Sequence, residues 1–245
     1  AKLTAPTTAM LVDPTVRGIT TPKAYMKLEQ NAHTIPLRIA LQSQVVNPEQ
    51  VNKETERALT TVDPDSETPI PQQLIKEITE NPDSYPANAQ ILKKAATMAK
   101  EVNAFLLPGG EDIPPALYGQ ETEEKTHCGD DYRRSILELG MIHQSFNRGI
   151  PMMALCRGFQ MTNIYCGAQL TQDIPGHRGI QKFQLAHDKQ NGLYHSAFKE
   201  ELNSAVFHHQ AVPESSGPTE YLEPAVVYQG LIKASEAKDA GADIV

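Results

Sequence analysis

Short apolar runs alternate along the chain with segments in which apolar residues recur every three or four positions. Three runs have the length and composition of buried strands: residues 37–41, 102–107 and 150–155. Three segments have helical composition and spacing: residues 72–80, 87–100 and 135–147. Because strands that alternate with helices pack as a central sheet covered by helices, this order predicts an α/β fold with a mostly parallel sheet.

Two of the predicted helices carry an apolar stripe that indicates their buried faces. The stripes consist of Ile91, Leu92, Ala95 and Ala99 in one helix, and of Ile136, Leu139, Ile142 and Phe146 in the other. A stripe at this spacing is typical of packing against a core. We therefore do not expect the second stripe to bind a cofactor.

Two stretches lack such periodicity. Residues 1–36 are rich in Thr and Pro, and they predict a partly irregular N-terminal extension before a domain that spans residues 37–245. Residues 47–71 are rich in Pro, Asp, Glu and Thr, and they predict a long loop. The sequence between this loop and residue 100 contains no clear second strand, so the order of the first sheet strands stays open.

Composition and charge narrow the class of protein. A chain of 245 residues with 40% hydrophobic residues is long enough for one domain with a full core. A net charge of -8 argues against nucleic acid or an anionic membrane as a partner. No apolar run reaches the roughly 20 residues of a membrane span. Because the three cysteines are irregularly spaced and no phosphate-binding loop is present, we predict no metal and no cofactor.

The strongest candidate for chemistry is Cys156, at the junction between the strand at 150–155 and a segment with the pattern of a helix that ends at Gly167. Ala154 and Gly158 are small, as the neighbours of a nucleophile on a sharp strand-to-helix turn must be. The helix N-terminus is expected to favour the thiolate. A structural cysteine that caps the strand is the alternative, but the flanking glycine and the abrupt change of periodicity favour a nucleophile.

A second candidate feature follows the strand at 102–107, where the chain continues as Pro108-Gly109-Gly110. Glycines at the carboxyl end of a parallel strand let the backbone approach a ligand and offer it N–H groups. Together with the N–H of Arg157, they are able to form an oxyanion hole for a tetrahedral intermediate. An ordinary Pro-Gly-Gly turn is the alternative, and the pairing with Cys156 favours the oxyanion hole.

Several segments carry a family resemblance. They are residues 107–119, the run Cys156-Arg157-Gly158-Phe159-Gln160 with Asn163, the spaced set Asp131, Arg134 and Glu138, and residues 169–174 and 207–212. Together they resemble the class I glutamine amidotransferase-like superfamily, in its gamma-glutamyl hydrolase branch. The resemblance is specific from about Ala104 to Val212.

The resemblance implies a flavodoxin-like, three-layer α/β sandwich. It also implies a cysteine hydrolase that cleaves gamma-glutamyl amide bonds of a small-molecule substrate through a thioester on Cys156. Gly109, Gln160 and His208 would bind the glutamyl portion, although a surface histidine in a turn is the alternative for His208. Arg157, directly after the cysteine, favours the hydrolase branch over amidotransferases that are coupled to a synthase.

The resemblance further implies a His-x-Glu pair on a late strand, because a thiolate that attacks an amide needs a proton donor for the leaving amine. Residues 231–239 resemble the family's penultimate strand, and residues 242–245 resemble the start of the strand that carries the pair. We therefore expect the pair to follow Val245, in a domain truncated at its C-terminal end. A form without the pair is the alternative, and His208 and His209 are its nearest rivals within the chain.

Two other classes of function stay open at this point. One is a glutaminase domain that delivers ammonia to a synthase partner, and the other is a catalytically inactive binding or regulatory member of the same fold. A nucleophilic thiolate requires a reducing compartment, so we expect a cytoplasmic protein. The sequence leaves open whether the protein forms a homo-oligomer.

Overall fold

A four-stranded parallel sheet lies at the centre of the fold. The computed structural model describes residues 7–10, 33–36, 46–129, 131–176, 178–184, 201–216, 219, 222–228 and 230–237. The sheet has the order β2-β1-β3-β4, and its strands are β1 (Thr7–Met10), β2 (His33–Pro36), β3 (Ala104–Leu107) and β4 (Met152–Ala154). All three strand pairs are parallel, as the sequence predicted for the central sheet. The order agrees with the doubly wound arrangement 2-1-3-4-5 of flavodoxin-like proteins.

Strands β1 and β2 lie within residues 1–36, the segment predicted to be a partly irregular N-terminal extension. Each strand has four residues, so neither is long enough to display a period of two along the sequence. Both nevertheless pair in register with the central sheet, Thr8 with Ala104 for example. The strand predicted at residues 37–41 lies outside the described residues, and the domain boundary at residue 37 stays a prediction.

Five helices accompany the sheet in the described part of the chain. They are α1 (Pro48–Leu59), α2 (Ile70–Glu80), α3 (Pro86–Met98), α4 (Arg133–Arg148) and α5 (Arg157–Tyr165). Helices α2, α3 and α4 confirm the predicted helices at 72–80, 87–100 and 135–147 with small shifts at their ends. The predicted stripes are also confirmed, because Ile91, Ala95, Ile136 and Ile142 are buried and Phe146 packs against the core.

Helix α1 contradicts the long loop predicted at residues 47–71. The Asn47 side chain caps the helix by accepting hydrogen bonds from the N–H groups of Glu49 and Gln50, at 2.9 and 3.3 Å. Proline at the first helical position is also favourable. The sequence conceals this helix because two positions of its buried face hold the polar residues Glu54 and Thr55. The loop is therefore confined to the residues between α1 and α2.

The five strands described after α5 pair antiparallel, in contrast to the parallel strands β1 to β4. They are β5 (Arg178–Gln184), β6 (Glu201–Phe207), β7 (Val212–Pro213), β8 (Leu222–Tyr228) and β9 (Leu231–Ala237). Strands β5 and β6 form a ribbon, while β7, β9 and β8 form a three-stranded sheet. Strand β9 confirms a strand within 231–239, whereas residues 242–245 lie outside the described residues. No helix in the described ranges is long and apolar enough to cross a bilayer.

Candidate active site

Cys156 occupies a strained turn between β4 and α5. Its backbone has φ +52° and ψ -110°, and among the described residues it is the one non-glycine residue with a positive φ. Such a conformation costs about 1–3 kcal/mol for a residue with a Cβ, and it persists only where the surrounding structure enforces it. Strain of this kind at a strand-to-helix junction is the geometry of a nucleophile elbow.

The residues around Cys156 are small because the elbow packs tightly against the end of β3. A Cβ at Gly158 would lie 2.5 Å from the carbonyl oxygen of Leu107 and 2.6 Å from its Cβ. A Cβ at Gly109 would lie 3.2 Å from the Cβ of Cys156 and 3.5 Å from its Sγ. The loop after β3 therefore lies directly against the sulfur, which agrees with the close backbone approach expected for these glycines.

The two backbone donors selected from the sequence meet at the sulfur. The N–H groups of Gly110 and Arg157 both lie near enough to the Cys156 sulfur to lower the pKa of its thiol, while the cysteine side chain remains accessible to solvent. These donors come from different elements, the loop after β3 and the first residue of α5. Their geometry is compatible with an oxyanion hole beside an accessible nucleophile. That catalytic role stays a prediction.

The pKa of the Cys156 thiol is shifted in the direction opposite to the expectation. Although the side chain reaches solvent, protein fills most of the space around the sulfur, and this burial raises the pKa of the thiol above its ordinary value. The N–H groups of Arg157 and Gly110 and the charge of Arg134 lower that pKa, and Asp112 raises it further. Burial outweighs the helix terminus, so the expected thiolate requires an additional group that accepts the proton.

The side chain of Arg134 holds the glycine loop, which is residues 108–110 after β3. Its Nη2 donates to the carbonyl oxygens of Gly109 and Pro108, at 2.8 and 3.2 Å. A Cβ at Gly110 would lie 2.7 Å from the Arg134 Cζ, so the guanidinium fills the space that a side chain at this position would need. On its other side, Nε of Arg134 donates to Glu138 Oε1 at 2.8 Å.

Glu138 and Arg157 form an ion pair in the interior. The Nη1 of Arg157 contacts Glu138 Oε2, and its Nη2 donates to Ser135 Oγ at 2.9 Å. Glu138 and Ser135 are fully buried, and Arg157 is 3% exposed. Arg157 thus contributes to the site twice, with its backbone N–H on the sulfur and its side chain on a buried carboxylate.

Two of the three residues expected to bind substrate, Gln160 and His208, converge on Gln210. Gln160 Nε2 donates to the Gln210 carbonyl oxygen at 2.7 Å, and His208 Nδ1 lies 2.7 Å from the same atom, which fits the tautomer with hydrogen on Nδ1. Gln160 is buried on the first turn of α5, and its N–H donates to the Cys156 carbonyl oxygen at 3.0 Å. The structure therefore brings both side chains to one point, and their contact with substrate stays a prediction.

Sequence reasoning named His209 as a rival for the base, but it missed the two aspartates beside that histidine. His209 Nε2 lies 2.8 Å from Asp112 Oδ2, and its Nδ1 lies 3.6 Å from Asp173 Oδ1. The backbone N–H of His127 also donates to Asp112, at 2.7 Å. The position of Asp112, two residues after the glycine pair, was the available signal. Within the described residues, no group of three or more His, Cys, Asp or Glu side chains is arranged to hold a metal ion.

Comparison with known proteins places the chain in a family. The family model for Peptidase C26 matches residues 55–244, and the chain belongs to that family. A Mycobacterium tuberculosis protein named "Putative glutamine amidotransferase" is 30% identical over 146 residues, which cover 55% of this chain and 46% of that protein. The chain thus spans about half the length of this relative. These matches support membership of the class I glutamine amidotransferase-like superfamily.

Two solved structures share the fold. A "putative gmp synthase subunit a protein" from Thermoplasma acidophilum superposes with a TM-score of 0.54 at 10% identity, over 99% of this chain and 84% of that one. A glutamine amidotransferase from Thermotoga maritima superposes with a TM-score of 0.53 at 11% identity, over 99% of this chain and 75% of that one. At these identities the two structures show a shared fold.

Proposed function

We propose that the protein is a cysteine hydrolase that cleaves gamma-glutamyl amide bonds. The observation that carries this proposal is the strained, accessible Cys156 with the N–H groups of Gly110 and Arg157 on its sulfur. A structural cysteine does not require a positive φ or two converging backbone donors, whereas a nucleophile that forms a tetrahedral intermediate uses both. Membership of the Peptidase C26 family supports the general class of reaction.

The proposed reaction has two stages. The Cys156 sulfur attacks the amide carbonyl carbon, a C–S bond forms, and the carbonyl oxygen gains an electron pair that the N–H groups of Gly110 and Arg157 stabilise. Collapse of this intermediate breaks the C–N bond, and the amine leaves with a proton. Water then attacks the thioester, releasing the gamma-glutamyl carboxylate and restoring the thiol.

Proton transfer needs a general base, since the pKa of the Cys156 thiol is raised. We assign this transfer to the His-x-Glu pair that the family resemblance implies. Gly109, Gln160 and His208 would orient the glutamyl half of the substrate. The reducing interior of the cytoplasm is the compartment that a thiol nucleophile favours.

A second candidate is a glutaminase that delivers ammonia to a synthase. The names of the Mycobacterium tuberculosis relative and of the Thermoplasma acidophilum structure favour it. The two candidates differ in the leaving amine. A hydrolase releases varied amines toward solvent, whereas a coupled glutaminase accepts little beyond glutamine and depends on its partner for activity.

The test is glutamate release by the protein from glutamine, a gamma-glutamyl peptide and a gamma-glutamyl alkylamine. We expect activity on the peptide and the alkylamine, abolished in Cys156→Ala and retained in Cys128→Ala, a matched change at a thiol of intermediate exposure. Activity restricted to glutamine and dependent on a partner would support the glutaminase instead. Equal loss in both cysteine variants would contradict the assignment of the nucleophile.

A further inference from the structure

The two proposed oxyanion donors lie on separate chain segments that must keep a fixed spacing. Gly110 belongs to the loop after β3, and Arg157 begins α5. The Leu155 N–H donates to the Leu107 carbonyl oxygen at 2.8 Å where the two segments leave the sheet. Past this bond, the sheet no longer sets the distance between the donors, and side chains connect the two segments.

The first connection runs from the glycine loop through Arg134. Its guanidinium donates to the carbonyl oxygens of Gly109 and Pro108 and fills the space against Gly110. The same guanidinium donates through Nε to Glu138. Because a guanidinium is planar and its donors have a fixed geometry, the loop and the carboxylate are held in one arrangement.

The second connection runs from the elbow through Arg157. Its side chain reaches the other oxygen of Glu138 and also donates to Ser135. Glu138 is fully buried on α4, so its carboxylate is fixed by the core on which that helix packs. One carboxylate thus pairs with both arginines, one oxygen for each: Arg134, which holds the glycine loop, and Arg157, which begins α5.

We propose that Glu138 is a positioning residue that holds the N–H groups of Gly110 and Arg157 at a fixed spacing on the Cys156 sulfur through two arginine side chains. Buried ion pairs are a weak source of stability, since apolar residues of similar volume often replace them without loss. Precise placement of donors accounts for a fully buried carboxylate between two arginines beside a nucleophile. The inference rests on the proposed function in taking Cys156 as that nucleophile.

The direction in which the Cys156 thiol pKa changes on replacement of Glu138 separates positioning from a simple charge effect. The N–H groups of Arg157 and Gly110 lower the pKa of Cys156, and so does the positive charge of Arg134. If Glu138 acted only through its charge, then its removal would leave the positive charges of Arg134 and Arg157 uncompensated. These charges would favour the thiolate and so lower the thiol pKa. If Glu138 positions the donors, then its removal displaces them and raises the thiol pKa.

The experiment compares the pH dependence of Cys156 alkylation by iodoacetamide in the wild type and in Glu138→Gln, with labelling located by mass spectrometry. We expect the profile of the variant to move to higher pH, with alkylation about tenfold slower at neutral pH, the effect of roughly one pKa unit. The matched control is Glu54→Gln, because Glu54 is also a buried carboxylate and its partners are Gln50 and Asn88 of the α1 and α3 region. The control is expected to keep the wild-type profile.

An unchanged profile in folded Glu138→Gln, or a shift to lower pH, would overturn the proposal. If circular dichroism shows that Glu138→Gln does not fold, Ser135→Ala decides, because it removes one acceptor of Arg157 and only an oxygen atom from the core. We expect a smaller shift to higher pH, about threefold in rate at neutral pH. An unchanged Ser135→Ala profile would then overturn the proposal.

Kinetics on a cleaved substrate provide the second readout. Loss of positioned oxyanion donors lowers kcat and leaves KM near its original value, since the donors act on charge that develops in the transition state. The alkylation profile needs no substrate, so it separates the two proposals. A shifted profile in a protein that cleaves none of the gamma-glutamyl compounds would support the positioning role and contradict the proposed substrate class.

Discussion

Gly158 lies so close to Leu107 that a Cβ at position 158 would be 2.5 Å from the Leu107 carbonyl oxygen. That oxygen is a backbone atom of a sheet strand and also accepts the Leu155 N–H. It has little freedom to move away. The glycine therefore allows α5 to begin directly against β3, with Cys156 between them.

Gly158→Ala should consequently destabilise the fold. We expect a loss of about 1–3 kcal/mol in the free energy of unfolding, the usual effect of overpacking, measured by urea denaturation. Gly109→Ala is the matched change, because its new Cβ would meet the Cys156 side chain and not a backbone atom. This variant should lose cysteine reactivity with a smaller loss of stability. Equal stability losses in the two variants would contradict the distinction.

Gly110→Ala should affect turnover more than stability. The new Cβ would displace the guanidinium of Arg134, which is the end of a flexible side chain and is able to move. That movement would release the loop that carries one oxyanion donor, so we expect kcat to fall about 10²-fold. Glutamate release and thermal melting of the same preparation measure the two effects. A drop in melting temperature without a change in kcat would favour an ordinary turn at this position.

Alkylation of Cys156 should require alkaline conditions. Burial raises the thiol pKa, so the thiolate fraction is small at neutral pH and grows as the pH passes the reference value of about 8.5. We expect the iodoacetamide rate at Cys156 to increase steeply above that pH, and buried Cys166 to react slowly throughout. A maximal rate at Cys156 already at pH 6 would contradict the raised pKa.

The cap of α1 offers a prediction that is independent of the site. Asn47→Ala removes the side-chain acceptor of two N–H groups, and it should cost about 1 kcal/mol of stability in denaturation experiments. Asn47→Asp retains an acceptor oxygen at the helix N-terminus and should remain close to the wild type. The alkylation profile of Cys156 should be the same in both variants.

Local features were recoverable from the sequence. The turn at Cys156 was predictable because its requirements, small residues at 154 and 158 and a change of periodicity, fall within a few positions. Helix α4 was predictable from its apolar stripe. Strands β1 and β2 were not, because four-residue strands carry too little pattern. Their place in the sheet depends on pairing with β3, which is distant in the sequence.

The electrostatic features of the site were harder to predict. Arg134 and Glu138 attracted notice only as part of a family pattern, since charged residues are usually exposed and their pairing with Arg157 is a tertiary contact. The helix that follows Cys156 indicated a lowered thiol pKa. Burial depends on how the loop after β3 packs over the sulfur, and the sequence does not contain that information in any local form.

The positive φ of Cys156 implies a trade-off between thermal stability and activity. Glycine adopts this conformation without strain, so Cys156→Gly should melt at a higher temperature than Cys156→Ala, by the equivalent of about 1 kcal/mol. Both variants lack the sulfur, so calorimetry of the pair isolates the backbone effect. A protein selected for thermal tolerance alone would tend to lose its cysteine to glycine. The strained cysteine is therefore a cost in stability, and the proposed chemistry of its sulfur would offset that cost.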